Sequence, residues 1–224
     1  MKSNIFFVVI TFLIVFNLFS VCSWASGQKV GIIYTEKHET SRDVSKWWMN
    51  GLRSKGIDVE KFDSIEFSEL IDNLEQYKVL IFALHYNVNR EIDTDKFRDI
   101  LLSWVKRGGV LFFTGIFTEP DIDLINAMGE QFTVKANRLK NPVSMIVKTE
   151  HPLVKGIKTL GSQIGYLTEY APGYTVIAES EGHEVGYIFQ EVEKGLVFIT
   201  SAWVDDQYQG IVTNMLSYTS ASVK

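Results

Sequence analysis

Length, composition and charge place this chain among ordinary globular proteins. It has 224 residues, of which 46% are hydrophobic and 22% are charged. These values exclude a disordered chain, a collagen-like repeat and a disulfide-dense miniprotein. The formal net charge is -5. Because proteins that bind nucleic acids usually carry a basic excess for phosphate contacts, we expect no nucleic-acid partner.

The N-terminus has the pattern of a secretory signal. Lys2 is the only charge in this segment, an apolar run covers residues 5–16, and a small-x-small motif ends at Ala25. The pattern predicts a signal peptide at 1–25, cleaved after Ala25, and a single domain at 26–224. We therefore expect export to the periplasm or the extracellular space, with no membrane contact beyond the signal segment.

Two alternatives to cleavage follow from the same residues. An uncleaved segment 5–22 would anchor the chain, because its 18 residues carry no charge and are just long enough to span a bilayer. Cys22 would be lipidated in a lipoprotein signal, but Val21 stands where such signals need a small residue. Cys22 is the only cysteine, so cleavage leaves a domain with no disulfide, thiolate ligand or thiol nucleophile.

Strand-like runs alternate with amphipathic helices in the first two thirds of the domain. Short apolar runs rich in β-branched and aromatic residues predict buried strands at 29–34, 57–62, 78–84 and 110–114. Apolar residues at helical spacing predict a helix after each of these strands. The same spacing assigns three tryptophans to the core, namely Trp47, Trp48 and Trp104.

Capping patterns indicate where the helices begin and end. A hydroxyl followed three residues later by a carboxylate predicts capping boxes at Thr40 and at Thr118. Asp93 or Thr94 is a typical N-cap for the helix between them. Glycines, which favour helix ends, follow the predicted helices at Gly56, Gly108 and Gly129.

The C-terminal third has a different pattern, in which strands follow one another. Strands are predicted at 144–147, 174–178, 184–190 and 196–200, the last two forming a hairpin, and a closing helix begins near Asp205 or Asp206. Strands that alternate with helices are typical of an α/β fold. We therefore predict a doubly wound, mainly parallel sheet with helices on both faces and some antiparallel strand in the C-terminal third.

Three segments share their pattern with a known superfamily, namely residues 101–115 (LLSWVKRGGVLFFTG), 151–157 (HPLVKGI) and 195–203 (GLVFITSAW). They resemble the class I glutamine amidotransferase-like superfamily, in particular its ThuA-like branch, which is associated with trehalose utilisation. The resemblance covers nearly all of residues 29–218. It implies a flavodoxin-like or amidotransferase-like sheet, and the association of the branch implies a carbohydrate as one class of ligand or substrate.

The residue that an amidotransferase needs for attack is missing from this chain. The superfamily's enzymes place a cysteine in a Gly-x-Cys-x-Gly turn, where backbone N–H groups can stabilise the oxyanion. The corresponding stretch reads Thr114-Gly115-Ile116-Phe117-Thr118, so an isoleucine stands at the cysteine's place. Glutamine amidotransferase activity is therefore not expected, and whether the chain is an enzyme of another kind stays open.

Polar and aromatic residues follow the strands of the predicted sheet. Ligands of open α/β sheets bind at the carboxyl ends of the strands, and aromatic faces beside polar groups suit a carbohydrate or another small polar ligand. Turns and caps also require polar residues at these places. The predicted ligand-binding residues are Tyr34, Thr35, Glu36, His85, Tyr86, Thr114, Gly115, Trp203 and Asp205.

Chemistry at this edge would need an acid and a base. His85 with Glu36 and Asp205 is the best candidate set, because histidine titrates near neutral pH and a carboxylate can orient it; a histidine at a strand end can equally be an ordinary loop residue. His38 and His85 with Glu36 could meet around a metal ion, but the four histidines are widely spaced. We expect no metal, and with no nucleotide-binding motif no cofactor.

Two functions fit these features. The favoured one is an exported, non-catalytic amidotransferase-like domain that binds a small polar ligand, such as a carbohydrate, or a protein partner. It is favoured because no complete catalytic set is visible and fold alone does not imply activity. The alternative is a ThuA-like enzyme that acts on a carbohydrate with a His/carboxylate acid-base set. The oligomeric state is open.

Overall fold

The computed structural model describes residues 29–83, 92–161, 165–202 and 204–218. Within these ranges eleven strands belong to one sheet. The strands are β1 Lys29–Tyr34, β2 Val59–Asp63, β3 Tyr77–Ala83, β4 Val110–Thr114, β5 Val134–Arg138, β6 Met145–Val147, β7 Thr159–Leu160, β8 Gly165–Tyr170, β9 Thr175–Glu179, β10 Val185–Val192 and β11 Gly195–Thr200.

Five α-helices and five short 3₁₀ helices connect the strands in the same ranges. The α-helices are α1 Glu39–Ser54, α2 Phe67–Asp72, α3 Thr94–Lys106, α4 Asp123–Ala127 and α5 Tyr208–Ser217. The 3₁₀ helices are Ser64–Glu66, Leu74–Gln76, Glu119–Ile122, Glu130–Phe132 and Pro152–Val154. None of the helices in the described ranges has the length and apolar character needed to cross a bilayer.

The central part of the sheet is parallel. Its strands lie in the order β2-β1-β3-β4-β11, and each neighbouring pair is parallel. Nearly every residue of β3, β4 and β11 is buried, as expected for strands covered on both faces. The predicted parallel sheet is therefore confirmed, and β1 and β4 have the predicted bounds.

The C-terminal part of the sheet is antiparallel. From β11 the order continues through β10, β9, β6 and β7, and each of these pairs is antiparallel. The predicted hairpin is the β10–β11 pair, with Glu193 at a positive φ of 54° in its turn. A branch of the sheet, in which β8 pairs with both β10 and β5, was not predicted.

Helices cover both faces of the sheet. The α1 and α5 helices bury Trp48 and Tyr208 in one apolar layer, while the α2, α3 and α4 helices bury Phe67, Trp104 and Leu124 in the other. Alternate residues of β3 contribute to the two layers, because successive side chains of a strand point to opposite faces. Both layers are therefore built on one shared set of strands.

The two predicted capping boxes have different outcomes. Thr118 and Asp121 form one, with Thr118 in an extended conformation before the 3₁₀ helix. The box predicted at Thr40 is wrong, because α1 begins one residue earlier, at Glu39, and no side chain caps it. Ser41, inside this helix, instead accepts a hydrogen bond from the backbone N–H of Thr35 at 3.0 Å.

Candidate functional site

Hydroxyl groups at the carboxyl ends of β1 and β4 form hydrogen bonds with backbone groups. Thr114 is fully buried, and its Oγ1 donates to the carbonyl of Phe82 at 3.2 Å. Thr35 is also fully buried, and its Oγ1 accepts from the N–H of Lys37 at 3.3 Å. Both residues lie at the predicted edge, where the Thr35 hydroxyl stabilises the turn after β1 and the Thr114 hydroxyl links β4 to β3.

Glu36 follows β1 and is exposed to solvent. Its Oε1 accepts a hydrogen bond from the Tyr34 hydroxyl at 2.5 Å, and Arg42 lies 3.9 Å from its Oε2. Burial raises the pKa of Tyr34, and the neighbouring Glu36 carboxylate adds to this shift. The structure therefore brings Tyr34 and Glu36 together, with the phenol held in its protonated form.

The turn after β4 contains the stretch that, by the resemblance seen in the sequence, corresponds to the nucleophile turn of amidotransferases. Gly115 has a positive φ of 74° and donates its N–H to the carbonyl of Ala202 at 2.9 Å, while Ile116 donates to that of Thr200 at 3.1 Å. The Ile116 side chain is fully buried. The next two N–H groups, of Phe117 and Thr118, donate to a carboxylate oxygen of Asp121 at 3.3 and 2.9 Å.

All four N–H groups from residue 115 to residue 118 are thus committed to internal acceptors. An oxyanion hole needs N–H groups that point at the reacting oxygen and are free to donate to it. Desolvation raises the pKa of Asp121, although the hydrogen bonds that it accepts oppose that shift. The turn is built as a packed structural element.

Asp205 lies between β11 and α5 and is almost completely buried. Its Oδ1 accepts from the N–H of Gln207 at 2.7 Å. Its Oδ2 accepts from the N–H of Gly161 and lies 3.2 Å from the hydroxyl of Tyr187. Burial raises the pKa of Tyr187 well above its ordinary value, so this phenol stays protonated and able to donate.

Asp205 also forms part of the wall of a cleft of about 400 Å³. Trp47, predicted to belong to the core, is only half-buried and lines this cleft. The prediction for Trp48 and Trp104, which are 0% and 2% exposed, is confirmed. The residues that line the cleft are Trp47, Ser144, Thr159, Leu160, Gly161, Val204, Asp205, Asp206 and Gln207.

Sequence reasoning missed most of this lining. Ser144 lies just before β6 and Thr159 lies in β7, both far along the chain from Trp47. Neither the hydroxyl residues nor Gly161 stand in a motif that could have identified them. Only the helical position of Trp47, next to the fully buried Trp48, offered a signal: two adjacent helical residues cannot both face the core equally.

A second, larger cavity of about 970 Å³ is lined by residues of the segment 146–158. His151 lies in this segment, and its Nδ1 accepts from the N–H of Leu153 at 3.3 Å. The His151 ring centroid lies 4.4 Å from that of Phe189. Burial lowers the pKa of His151, so this histidine is neutral at physiological pH and acts as a helix cap.

Three of the predicted site residues, His85, Tyr86 and Trp203, lie outside the described residues. Within the described ranges, no hydrogen bond or ion pair joins Glu36 to Asp205. The same ranges contain no group of three His, Cys, Asp or Glu residues that could hold a metal ion. The described part of the predicted edge is therefore a set of local hydrogen-bonded turns beside one cleft.

Comparison with solved structures shows where this fold occurs. A β-galactosidase from Bacillus circulans sp. alkalophilus superposes with a TM-score of 0.61 at 14% identity, over 86% of this chain and 31% of the other. A β-galactosidase from Rahnella sp. R3 gives 0.57 at 14% identity, over 85% and 31%. A putative GMP synthase protein from Thermoplasma acidophilum gives 0.54 at 13% identity, over 85% and 93%.

At these identities the likeness shows the fold alone, a mixed α/β fold with a mostly parallel central sheet. The chain spans about a third of the length of the β-galactosidases that it matches. No protein-family model matches the sequence, and no curated protein matches it either.

Proposed function

We propose that this chain is an exported, non-catalytic domain of the class I glutamine amidotransferase-like superfamily that binds a small polar ligand. The sequence motifs of the ThuA-like branch support the assignment. The strand order β2-β1-β3-β4-β11 supports it too, because it corresponds to the order 2-1-3-4-5 of flavodoxin-like doubly wound sheets. The likeness to a putative GMP synthase protein, over most of both chains, agrees with this assignment.

One observation carries the non-catalytic part of the proposal. The turn after β4 presents the buried Ile116 at the place of a nucleophile, and the four N–H groups from residue 115 to residue 118 donate to internal acceptors. A nucleophile and an oxyanion hole are both needed for amide hydrolysis. The turn therefore lacks both parts of the amidase machinery.

A turnover assay tests the proposal. We expect purified protein to release no ammonia from glutamine and no nitrophenol from nitrophenyl glycosides above the uncatalysed rate. The Ile116→Cys variant is expected to remain inactive toward glutamine, because the added thiol gains no free N–H donor. Sugar turnover that is lost in His85→Ala or Glu36→Gln would instead establish the alternative, a ThuA-like enzyme that acts on a carbohydrate.

Export is tested separately by N-terminal sequencing of the protein recovered from the expressing cells. We expect the mature chain to begin at Ser26, as the cleavage motif at Ala25 predicts. A mature chain that begins at Met1 would support a membrane anchor in place of a signal peptide.

A further inference from the structure

The cleft beside Asp205 is formed by three distant parts of the chain. The α1 helix contributes Trp47, the region around β6 and β7 contributes Ser144 and Thr159, and the loop before α5 contributes Asp206. Its volume of about 400 Å³ lies near the lower end of the range for small-molecule sites, about 300–1,000 Å³. The cleft therefore has room for a ligand with few heavy atoms.

The chemistry of the lining favours an uncharged or cationic ligand over an anionic one. Two carboxylates, Asp205 and Asp206, line the cleft, and none of the described residues of its wall is a lysine, an arginine or a histidine. Asp206 is exposed, as are Ser144 and Thr159, so a carboxylate and two hydroxyls are available to a ligand. An anion placed here would be repelled by the two carboxylates.

Two residues of the cleft wall, Asp205 and Trp47, are held by neighbouring groups. Asp205 is fixed by the N–H groups of Gly161 and Gln207. The Trp47 ring packs edge-on against Trp48, with centroids 5.2 Å apart and an interplanar angle of 80°. Trp48 in turn stacks on the fully buried Tyr208 at 5.3 Å. A site that is rigid in advance loses little conformational freedom on binding.

We propose that this cleft binds the ring of an uncharged monosaccharide. The C–H groups of a sugar ring pack against the Trp47 indole, and its hydroxyls donate to Asp206 and bond with Ser144 and Thr159. An uncharged sugar offers both surfaces, apolar on a ring face and polar around its edge, which the mixed lining requires. The inference rests on the proposed binding function and deepens it by naming the ligand class and the residues.

The test measures sugar binding to the full exported chain by isothermal titration calorimetry. The probes are galactose, mannose and glucose, with glucuronate as the anionic counterpart of glucose and glucosamine as the cationic one. We expect at least one neutral sugar to bind, and glucuronate to bind at least about tenfold more weakly than glucose, since a tenfold ratio needs only a modest repulsion. Trp47→Ala is expected to weaken neutral-sugar binding by at least about tenfold.

Two further variants keep the test decisive. Asp206→Lys changes an exposed side chain, so it should fold even if Trp47→Ala does not, and it is expected to reverse the discrimination against glucuronate. Tyr170→Ala is the matched control, because it removes an aromatic ring that is 36% exposed and lies on β8 outside the cleft. Binding by this control should equal that of the wild type.

The possible failures point to different conclusions. Sugar binding that is unchanged in both Trp47→Ala and Asp206→Lys would overturn this site while leaving the binding function intact. Binding of glucosamine without any neutral sugar, or of none of the probes, would overturn the ligand class. Conversion of a bound sugar into product would overturn the proposed non-catalytic function. Binding constants do not detect such conversion, so the sugar recovered after the titration has to be analysed as well.

Discussion

Tyr208 shows how a single hydroxyl can fix the end of a strand. It is fully buried, donates to the carbonyl of Ala202 at 2.7 Å and lies 2.8 Å from Oγ1 of Thr200. Removal of the hydroxyl in Tyr208→Phe eliminates its two hydrogen bonds, leaving the Ala202 carbonyl with only the N–H of Gly115 as donor. We expect the free energy of unfolding to fall by about 1–3 kcal/mol, as measured by urea denaturation. Tyr170→Phe, at a partly exposed tyrosine, should change it much less.

We expect His151 to make the stability of the protein depend on pH. Burial lowers its pKa below the ordinary value near 6.5, and Glu191 opposes the shift only in part. Because the unfolded chain binds the proton more readily than the folded one, stability that is present above about pH 6.5 is lost as the pH falls. Protonation also removes the acceptor for the N–H of Leu153.

The comparison of wild type with His151→Asn isolates this effect, since asparagine can also cap a helix. We expect the free energy of unfolding to fall more steeply in the wild type than in the variant between about pH 7 and pH 5. Urea denaturation at a series of pH values measures both curves. Two parallel curves would show that the His151 ring does not contribute to the acid sensitivity.

Single residues were predictable where their role depends on sequence neighbours only. Thr118 and Asp121 are three residues apart, and the capping box that they form is local. Thr40 has the same pattern three residues before a carboxylate, yet α1 begins at Glu39. Near Thr40 the neighbouring Ser41 accepts a hydrogen bond from the N–H of Thr35, the residue that follows β1. The spacing of residues in the sequence does not reveal that contact.

Two glycines with opposite surroundings test how the elements are built. Gly210 lies in α5, is exposed, and has nothing within 4 Å of the place where a Cβ would be. A Cβ on Gly195, in the tight start of β11, would overlap the carbonyl oxygens of Val105 and Gly109. The first position has room for a side chain and the second has none.

Gly210→Ala is therefore expected to raise the free energy of unfolding by up to about 1 kcal/mol, the helix preference of alanine over glycine. Gly195→Ala should lower it by at least about 2 kcal/mol, because backbone has to move. Urea denaturation of the two variants beside the wild type measures both changes. Equal effects would contradict the packing described at the junction of α3 with β4 and β11.

Among the strands, those that are buried on both faces could be predicted from the sequence, and those with several exposed residues could not. The strands β1 and β4 are continuous apolar runs buried on both faces, and their bounds agree with the sequence prediction. The strands β5 and β8 read VKANR and GYLTEY and bury only two residues each, so their apolar pattern is too short to identify them as strands. They are strands because β5 pairs with β8 and β8 also pairs with β10, which is tertiary information.

The two apolar layers should unfold together, because they share the same strands. Trp48 reports on the layer of α1 and α5, and Trp104 on the layer of α3. The Nε1 of Trp48 has no hydrogen-bond partner in the described chain, so Trp48→Phe removes no hydrogen bond. We expect tryptophan fluorescence and far-UV circular dichroism to give coincident urea midpoints in the wild type, Trp48→Phe and Trp104→Phe. Separate midpoints would mean that the layers are independent.

For the molecule as a whole, the edge that should hold a site was predictable, but the cleft was not. The carboxyl ends of β1 and β4 follow from the strand pattern, and Thr35 and Thr114 lie there. The cleft needs Trp47 to meet Ser144 and Thr159, and that meeting depends on where the antiparallel strands β6 and β7 are placed. Long-range placement of this kind has no periodic signal in one sequence.

Among the described strands, the sheet ends on one side at β7, which has two residues. A strand at the border of a sheet offers unpaired backbone groups on which another chain can add itself, and a very short strand offers few of them. This border therefore offers few backbone groups through which copies of the protein could pair edge to edge into fibres. We expect so short a border strand to reduce aggregation of the folded protein at high concentration.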